Sequence, residues 1–349
     1  MRPEWLDDPL TNLSVEHREE ALSHQGQLTK PPGSLGVLEK IAVDFAGWQG
    51  RRLPQIDKVK IVVFAGDHGV VASGVSAFPQ SVTVEMVKNF SRGGAAITVL
   101  AKHLDALFEV VDVGTVMDPG PLSGVVSSRV GAGTADMSSG AAMDEKQLWK
   151  AFGAGRKAAL RAGDEGVQLL VGGEMGIGNT TAAAAVGSVL TGLSPVALAG
   201  PGTGLDSAGV SRKVEIIQKA LQVNRVDAKD PLDVLCKVGG FELAALAGFY
   251  ITSAQIGIPI LVDGFIATSA ALAAVRLRPE LIDWMLFAHL SKEPGHTALL
   301  AALERDALMD LEMRLGEGSG AAVAVPLLRM ACILHGGMAT FAQAGVSEG

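Results

Sequence analysis

Short runs of β-branched and other apolar residues alternate with longer alanine-rich segments along most of the chain. A polar or glycine-rich loop follows each run, and helices are predicted at 180–190 and 266–275. Strand, loop and helix in this repeated order indicate an α/β fold with a Rossmann-like, doubly wound parallel sheet. Ligands of such sheets bind beyond the carboxyl ends of the strands, where the polar residues of this chain cluster. The predicted strands are 60–65, 108–113, 167–171, 196–199, 260–262 and 285–288.

The two ends of the chain follow a helical pattern instead. Residues 14–27 predict a helix that the prolines and glycine of 30–33 terminate, and a second helix begins near Ser34. Residues 321–334 predict a further apolar helix, which contains Pro326. We expect these helices to pack together beside the sheet. The predicted division is a small helical domain from both termini, 1–50 and 321–349, and a large α/β nucleotide-binding domain, 51–320.

One uncharged stretch has the length of a membrane span. Residues 243–262 carry no charge over twenty residues, and a spanning helix needs about that length. Gln255, Gly257 and Pro259 divide the stretch. We therefore predict a buried helix, a turn and a short strand, not a membrane span. The N-terminal residues also lack the apolar segment of a secretory signal.

Composition narrows the choice of partners and compartment. Hydrophobic residues make up 48% and charged residues 19% of the chain, which excludes extensive disorder. The net charge of −8 and the aromatic content of 5% disfavour a nucleic-acid-binding surface. Cys236 and Cys332 are isolated, so they form no zinc motif and fit a reducing compartment. We predict a cytoplasmic protein without a nucleic-acid partner.

The strongest local signal is the segment GGEMGIGNTT at 172–181, where a predicted strand gives way to an alanine-rich helix. Unpaired N–H groups and the helix dipole at such a junction can hold a phosphate dianion. The segment is not a P-loop, and Thr181 replaces the third glycine of a dinucleotide fingerprint. From the motif alone, phosphate binding and a simple capped helix after a tight turn are equally good interpretations.

Two other loops leave alternatives open. The glycine loop 200–204 precedes Arg212 and Lys213, so it could supply backbone donors and a cation, or be a turn before a solvated helix. Asp67 and His68 form an acid–imidazole pair of the kind that transfers protons. Adjacent side chains rarely reach the same atom, so we favour a role in loop architecture for this pair.

Two further groups of residues could carry chemistry. His289, Glu293 and His296 have the composition of a metal triad, but an intervening Pro-Gly pair breaks any helix that could align them. We predict no metal site there. Glu317 lies in the glycine-rich loop 316–320, which lets a ligand approach its carboxylate closely. An exposed turn glutamate is the alternative interpretation.

Six motifs together resemble one family, the nicotinate-nucleotide–dimethylbenzimidazole phosphoribosyltransferases of the cobalamin lower-ligand pathway. They span nearly the whole chain in the family's order, which makes the resemblance far more specific than any single glycine loop. The motifs are KPPGSLG at 30–36, AGDHGV at 65–70, GEMGIGNTT at 173–181, DVLCKVGGF at 233–241, VDGF at 262–265 and RLGEGSG at 314–320.

The resemblance implies a transferase with two small-molecule substrates. Nicotinate mononucleotide would donate its phosphoribosyl group to 5,6-dimethylbenzimidazole, giving α-ribazole 5′-phosphate and nicotinate. The resemblance also implies a homodimer that uses no metal and no cofactor. It makes Glu317 the general base and places Glu174 and Lys213 near the substrates. The remaining implied site residues are Gly176, Ile177, Gly178, Asn179 and Thr180 for the phosphate, and Phe78, Met86 and Leu315 for the base pocket.

These residue types suit that reaction. The pyridinium of the donor leaves as a neutral ring, and attack on C1′ from the opposite face inverts the anomeric centre. A carboxylate such as Glu317 could take the proton of the attacking base. The region 76–80 departs from the family's expected pattern, which leaves the preferred base open. Two alternatives remain: another nucleotide-dependent transferase or dehydrogenase, and a non-catalytic cobalamin- or nucleotide-binding module.

Overall fold

A computed structural model describes residues 2–347 of the protein. Its centre is one sheet of seven strands, all parallel, in the order β3-β2-β1-β4-β5-β6-β7. The chain builds the sheet outward from β1 in one direction and then from β4 in the other. The predicted α/β, doubly wound fold is thus confirmed. The strands are β1 Val59–Gly66, β2 Leu107–Gly114, β3 Val125–Ser127, β4 Leu169–Met175, β5 Ile260–Val262, β6 Met285–His289 and β7 Ala307–Met309.

Helices connect the strands and cover the sheet. Three 3₁₀ turns, Glu4–Asp7, Gly69–Ser73 and Pro279–Trp284, complete the described secondary structure. The helices are α1 Val15–Gln27, α2 Val37–Gln49, α3 Ser81–Arg92, α4 Ala96–His103, α5 Glu145–Asp164, α6 Asn179–Thr191, α7 Pro195–Leu198, α8 Ser207–Asn224, α9 Pro231–Val238, α10 Phe241–Gln255, α11 Phe265–Leu277, α12 His296–Ala302, α13 Ser319–Gly337 and α14 Phe341–Ala344.

Two adjacent glycines let the backbone of β4 be approached closely from both faces. A Cβ atom at Gly172 would lie 2.7 Å from Leu246 Cδ2 of α10, and one at Gly173 would collide with the carbonyl of Glu317. Successive strand residues point to opposite faces. Helix α10 therefore covers one face of β4, and the loop that precedes α13 covers the other.

The prediction of a strand at 196–199 is wrong, since α7 occupies this segment. Pro195 stands at its first helical position, and the side chain of Ser194 accepts a hydrogen bond from the Val196 N–H. Proline is favoured at that position and cannot donate a hydrogen bond to a sheet. The edge strands β3 and β7 were not predicted, because each has three residues and lacks a buried apolar run.

The terminal helices contact one another, as expected. His24 Nε2 lies 3.0 Å from the carbonyl oxygen of His335, and Gln25 Nε2 lies 2.8 Å from His335 Nδ1. Helix α13 also contacts β4 and β6, and Phe45 of α2 belongs to the same hydrophobic core as the sheet. The division into a large and a small domain stays a prediction.

The apolar segment 243–262 forms the predicted helix, turn and strand, since it contains all but the first two residues of α10 and the whole of β5, and both elements are almost fully buried. Among residues 2–347, only α13 has the length and apolar composition that a membrane span requires. Half of that apolar stretch is buried inside the protein, as the core helix of a globular protein would be.

Candidate active site

A cleft of about 360 Å³ opens at the carboxyl ends of β4, β5 and β6. This is the edge of a doubly wound sheet where ligands bind. Lys213 and Gly178 do not line the cleft themselves. Lys213 contacts Thr180, which lines it, and Gly178 lies between two lining residues, Ile177 and Asn179. The sequence-predicted residues that line the cleft are Phe78, Met86, Glu174, Gly176, Ile177, Asn179, Thr180, Leu315 and Glu317.

The loop between β4 and α6 has the backbone of an anion site. Gly178 caps α6 with φ of +99°, a conformation that disfavours residues with a side chain. Its Cβ would lie 2.7 Å from Val71 Cγ2 and 3.1 Å from His68 Cβ. Within the described residues, the N–H groups of Gly178 and Thr180 make no backbone hydrogen bond. They are therefore available to an anion at the helix N-terminus.

Lys213 of α8 adds a buried cation beside this loop. Its Nζ donates to Thr180 Oγ1 and to the Gly200 carbonyl oxygen, both at 3.0 Å. Burial lowers the Lys213 pKa to about 8, against the opposing charge of Glu293. Lys213 thus joins the glycine loop 200–204 to α6. Backbone N–H donors and a nearby cation are the groups that an anion site at a helix N-terminus needs.

Glu317 is buried, so the exposed-turn alternative is wrong. Its side chain is 5% exposed, and its Oε2 has no hydrogen-bond partner within residues 2–347. Gly316, Glu317 and Gly318 all have positive φ, which folds the loop tightly against Gly173. Burial, followed by the charge of Asp263, raises the Glu317 pKa to about 7. A carboxyl group with that pKa can exchange protons near neutral pH.

Glu174 lies at the end of β4 beside the Glu317 loop. Asn179 Nδ2 donates to Glu174 Oε2, and Gly316 packs against the Glu174 carboxyl. Burial and then the charge of Asp263 raise the Glu174 pKa well above its usual value. Glu174 therefore connects the loop between β4 and α6 to the Glu317 loop.

An apolar wall completes the cleft near Glu317. Phe78, Met86 and Leu315 line it, and Phe78 and Leu315 are half exposed. The loop that carries Phe78 is held to the 200–204 loop, because the Ala77 N–H donates to Thr203 Oγ1 at 3.3 Å. Such a wall suits a flat, apolar ring.

Asp67 and His68 serve loop architecture and do not line the cleft. His68 Nε2 lies 2.8 Å from Glu242 Oε1, and both side chains are buried. Asp67 Oδ1 accepts from Thr83 Oγ1 at 2.6 Å, and Thr83 Oγ1 accepts from the Ile177 N–H at 3.1 Å. Thr83 therefore helps to shape the loop between β4 and α6. Nothing in the sequence around Thr83 pointed to this role, because its partner is distant in the chain.

His289, Glu293 and His296 have different partners. His289 Nε2 lies 3.7 Å from Asp263 Oδ1, and Glu293 Oε1 accepts from the Gly202 N–H at 3.0 Å. His296 Nδ1 accepts from a backbone N–H, and burial lowers its pKa to about 3. Among residues 2–347, no cluster of three or more histidines, cysteines or acids has a metal-binding arrangement.

Known proteins resemble this chain over its full length. A family model described as phosphoribosyltransferase matches residues 10–346. The nicotinate-nucleotide–dimethylbenzimidazole phosphoribosyltransferase of Pseudomonas putida W619 is 56% identical, covering 100% of this chain and 99% of the relative. The enzyme of the same name from Xanthomonas oryzae pv. oryzae is 55% identical, with 100% of both chains covered.

A solved structure agrees with these sequences. The crystal structure of the corresponding phosphoribosyltransferase from Thermus thermophilus has a TM-score of 0.92 and 46% identity. The match covers 97% of this chain and 100% of the Thermus chain. The fold, the cleft and the relatives lead to one conclusion. This chain is an enzyme that belongs to the nicotinate-nucleotide–dimethylbenzimidazole phosphoribosyltransferase family.

Proposed function

We propose that the enzyme transfers the phosphoribosyl group of nicotinate mononucleotide to 5,6-dimethylbenzimidazole, with inversion at C1′ and with Glu317 as general base. The products are α-ribazole 5′-phosphate and nicotinate. The observation that carries the proposal is the Glu317 carboxyl, which is buried in the cleft and keeps one oxygen without a partner within the described residues. The names of the full-length relatives support the two substrates.

The donor phosphate fits the loop from Gly176 to Thr180. The loop offers backbone N–H groups at a helix N-terminus, and Lys213 supplies a cation through its contact with Thr180. The flat acceptor base fits between the apolar wall and Glu317. This placement leaves the ribose between the two, with C1′ facing the acceptor.

The electrons and protons balance without a further reactant. The unprotonated ring nitrogen of the base forms a bond to C1′, while the bond from C1′ to the pyridinium nitrogen breaks. The bonding pair returns to the pyridine ring, which leaves neutral. Attack from the opposite face converts the β-nucleotide into an α-product through an oxocarbenium-like state. The N–H of the attached base then becomes acidic, and the Glu317 carboxylate accepts its proton.

The Glu317 pKa of about 7 fits this role. An ordinary carboxylate is a weak base, whereas a buried one with a raised pKa takes a proton more readily. The same group is still substantially ionised at neutral pH. Glu317 is therefore matched to both requirements of a general base.

Product analysis tests the proposal. We expect the purified enzyme with nicotinate mononucleotide and dimethylbenzimidazole to form α-ribazole phosphate and nicotinate in equal amounts, measured by chromatography and mass spectrometry. Nicotinate release without the base would indicate a hydrolase. No release of nicotinate in either reaction would contradict the proposal.

We also infer that the reaction needs no metal or cofactor, because the pyridinium leaving group departs without a Lewis acid. Activity is expected to survive dialysis against EDTA, with untreated enzyme as the control. Activity that disappeared and returned only with a divalent ion would contradict this inference. It would also direct attention back to His289, Glu293 and His296.

The assembly and location of the enzyme stay predictions. We expect a cytoplasmic homodimer without nucleic-acid or membrane partners. Light scattering coupled to size-exclusion chromatography would give a mass near twice that of the 36.0 kDa chain. A mass equal to one chain at micromolar concentration would contradict the homodimer.

A further inference from the structure

The side chain of Asp263 joins β5 to the first turn of α13. Asp263 Oδ1 accepts from the Ala321 N–H at 2.8 Å, and Oδ2 accepts from the Gly318 N–H at 3.2 Å. Gly318 directly follows Glu317, and Asp263 is only 1% exposed. Asp263 thus fixes the backbone that carries Glu317, although the two acids are far apart in sequence.

The Glu317 loop needs such an anchor. Glu317 has φ of +64°, which is unfavourable for a residue with a side chain, and both neighbouring glycines also have positive φ. Backbone in sparsely populated conformations persists only where the surroundings hold it in place. Asp263 provides two hydrogen bonds at the point where this loop enters the helix.

The charge of Asp263 also acts on Glu317. After burial, it is the largest influence that raises the Glu317 pKa. Two N–H groups at a helix N-terminus and the nearby His289 ring favour the charged form of Asp263, while burial raises its own pKa. Other titratable groups face Asp263, Glu317 or the neighbouring Glu174, namely Glu242 and Tyr250 of α10.

We propose that Asp263 is a positioning residue that acts on the reaction through Glu317, by anchoring the backbone of its loop and by adding a buried acid next to that loop. This inference rests on the proposed role of Glu317. Asp263 lines the cleft, but this scheme assigns it no proton transfer and no bond to a reacting atom, and each of its oxygens accepts a backbone N–H.

The test replaces Asp263 by asparagine, which keeps the shape but removes the charge and one acceptor. We expect the acidic limb of the profile of kcat against pH to move to lower pH by about half a unit or more, since a like charge is removed. We also expect kcat at pH 8 to fall about tenfold, because a displaced base is a poor catalyst. In the Glu317→Gln background, adding Asp263→Asn is expected to lower kcat by less than about a further twofold.

Asp112→Asn is the matched control. Asp112 is also buried and accepts two backbone N–H groups beside a cation, but it lies outside the cleft. Asp112→Asn is expected to lower the melting temperature without moving the acidic limb of the profile of kcat against pH. Asp263→Glu keeps the charge and shifts the carboxylate by one methylene. Asp263→Glu is expected to lower kcat without moving the acidic limb of the pH profile. It replaces Asp263→Asn in the test if that variant does not fold.

The outcomes separate the possible failures. If wild-type enzyme forms no product, the proposed function fails. If Glu317→Gln retains activity within threefold, the general-base role fails. If both hold, the inference about Asp263 is overturned by an unmoved limb in Asp263→Asn, or by effects of the Asp263 and Glu317 substitutions that multiply in the double variant.

Discussion

Four carboxyl groups meet at this cleft, and each has different hydrogen-bond partners. Glu174, Asp263, Glu293 and Glu317 are each at most 5% exposed, and burial raises the pKa of all four. The Asp263 carboxylate accepts hydrogen bonds from two backbone N–H groups. Glu174 accepts one from Asn179, and one oxygen of Glu293 accepts one from the Gly202 N–H. Glu317 has a backbone hydrogen bond from Ile97, and its Oε2 has no partner within residues 2–347. At the scale of single residues, the partners of each acid decide its chemistry.

Glu317→Gln is expected to lower kcat by about 10²- to 10⁴-fold, because glutamine has the same size but cannot accept the proton of the base. The affinity for nicotinate mononucleotide is expected to remain, since the phosphate is held by another loop. Steady-state kinetics and calorimetry measure the two effects. Glu312→Gln is the control, because Glu312 also has a positive φ of +56° but is exposed. Turnover of Glu317→Gln within threefold of wild type would mean that the proton leaves to water.

Lys213→Met is expected to weaken donor binding about tenfold or more, roughly 1.4 kcal/mol, because it removes the cation next to Thr180. The pKa of Lys213 is lowered to about 8, so the charge is present below that pH and lost above it. Wild-type affinity for the donor is therefore expected to decline as pH rises through 8, and the variant is expected to lack this decline.

Calorimetry at several pH values measures this difference. Arg212→Met is the matched control, because Arg212 precedes Lys213 on the same helix, is exposed and does not line the cleft. Equal donor affinity in Lys213→Met and wild type at pH 7 would remove Lys213 from the anion site.

At the scale of elements, the site depends on how β4 passes into α6. The strand ends beside the Gly66 carbonyl, and the chain must then turn within Gly176, Ile177 and Gly178 before α6 begins. The Ile177 N–H donates to Thr83 and the Asn179 N–H to the Gly176 carbonyl, which leaves the N–H groups of Gly178 and Thr180 for a ligand. The turn therefore starts the helix and leaves two N–H groups free for the anion site proposed above.

Gly178→Ala is expected to weaken binding of nicotinate mononucleotide at least about tenfold. Its Cβ would meet Val71 and His68 and would force the turn to move. Gly192→Ala is the control, because Gly192 ends the same helix with φ of +73° and has open space around it. Both variants are expected to lose about 1–2 kcal/mol of stability from the positive φ. Unchanged donor affinity in folded Gly178→Ala would exclude the turn from the site.

At the scale of the whole molecule, two helices lie in close backbone contact on one face of the sheet. A Cβ at Gly155 of α5 would collide with the Ala245 carbonyl of α10, and one at Gly248 would collide with the Phe152 carbonyl. Helix α10 in turn contacts β1, β2 and β4. The strands that position the site therefore pack against a pair of helices whose separation is set by Gly155 and Gly248.

Gly155→Ala is expected to lower the free energy of unfolding by about 1–3 kcal/mol or more, because the added methyl group overpacks the helix contact. Gly153→Ala on the same helix has open space and is expected to raise it by about 0.5–1 kcal/mol. Chemical denaturation measures both values. Equal stability of the two variants would mean that the helices can separate at little cost.

The sequence by itself determined the fold class and the main loops of the site. Apolar runs predicted β1, β2, β4, β5 and β6 because a strand covered on both faces is mostly apolar, although β1 and β2 also bury Lys60, Glu109 and Asp112. Glycine-rich segments at 172–181 and 316–320 marked turns that only small residues allow. These features depend on neighbours in the chain, so a local pattern is enough to predict them.

Only the tertiary structure decided which side chains act together. It brought Asp263 to Gly318, Lys213 to Thr180 and Thr83 to Ile177. It also showed that Glu317 is buried, whereas its glycine-rich loop is equally compatible with an exposed side chain. Contacts and burial of this kind depend on how distant segments pack. The physical reason is that a hydrogen bond or a pKa is set by the atoms around a group in space, and sequence distance carries no information about them.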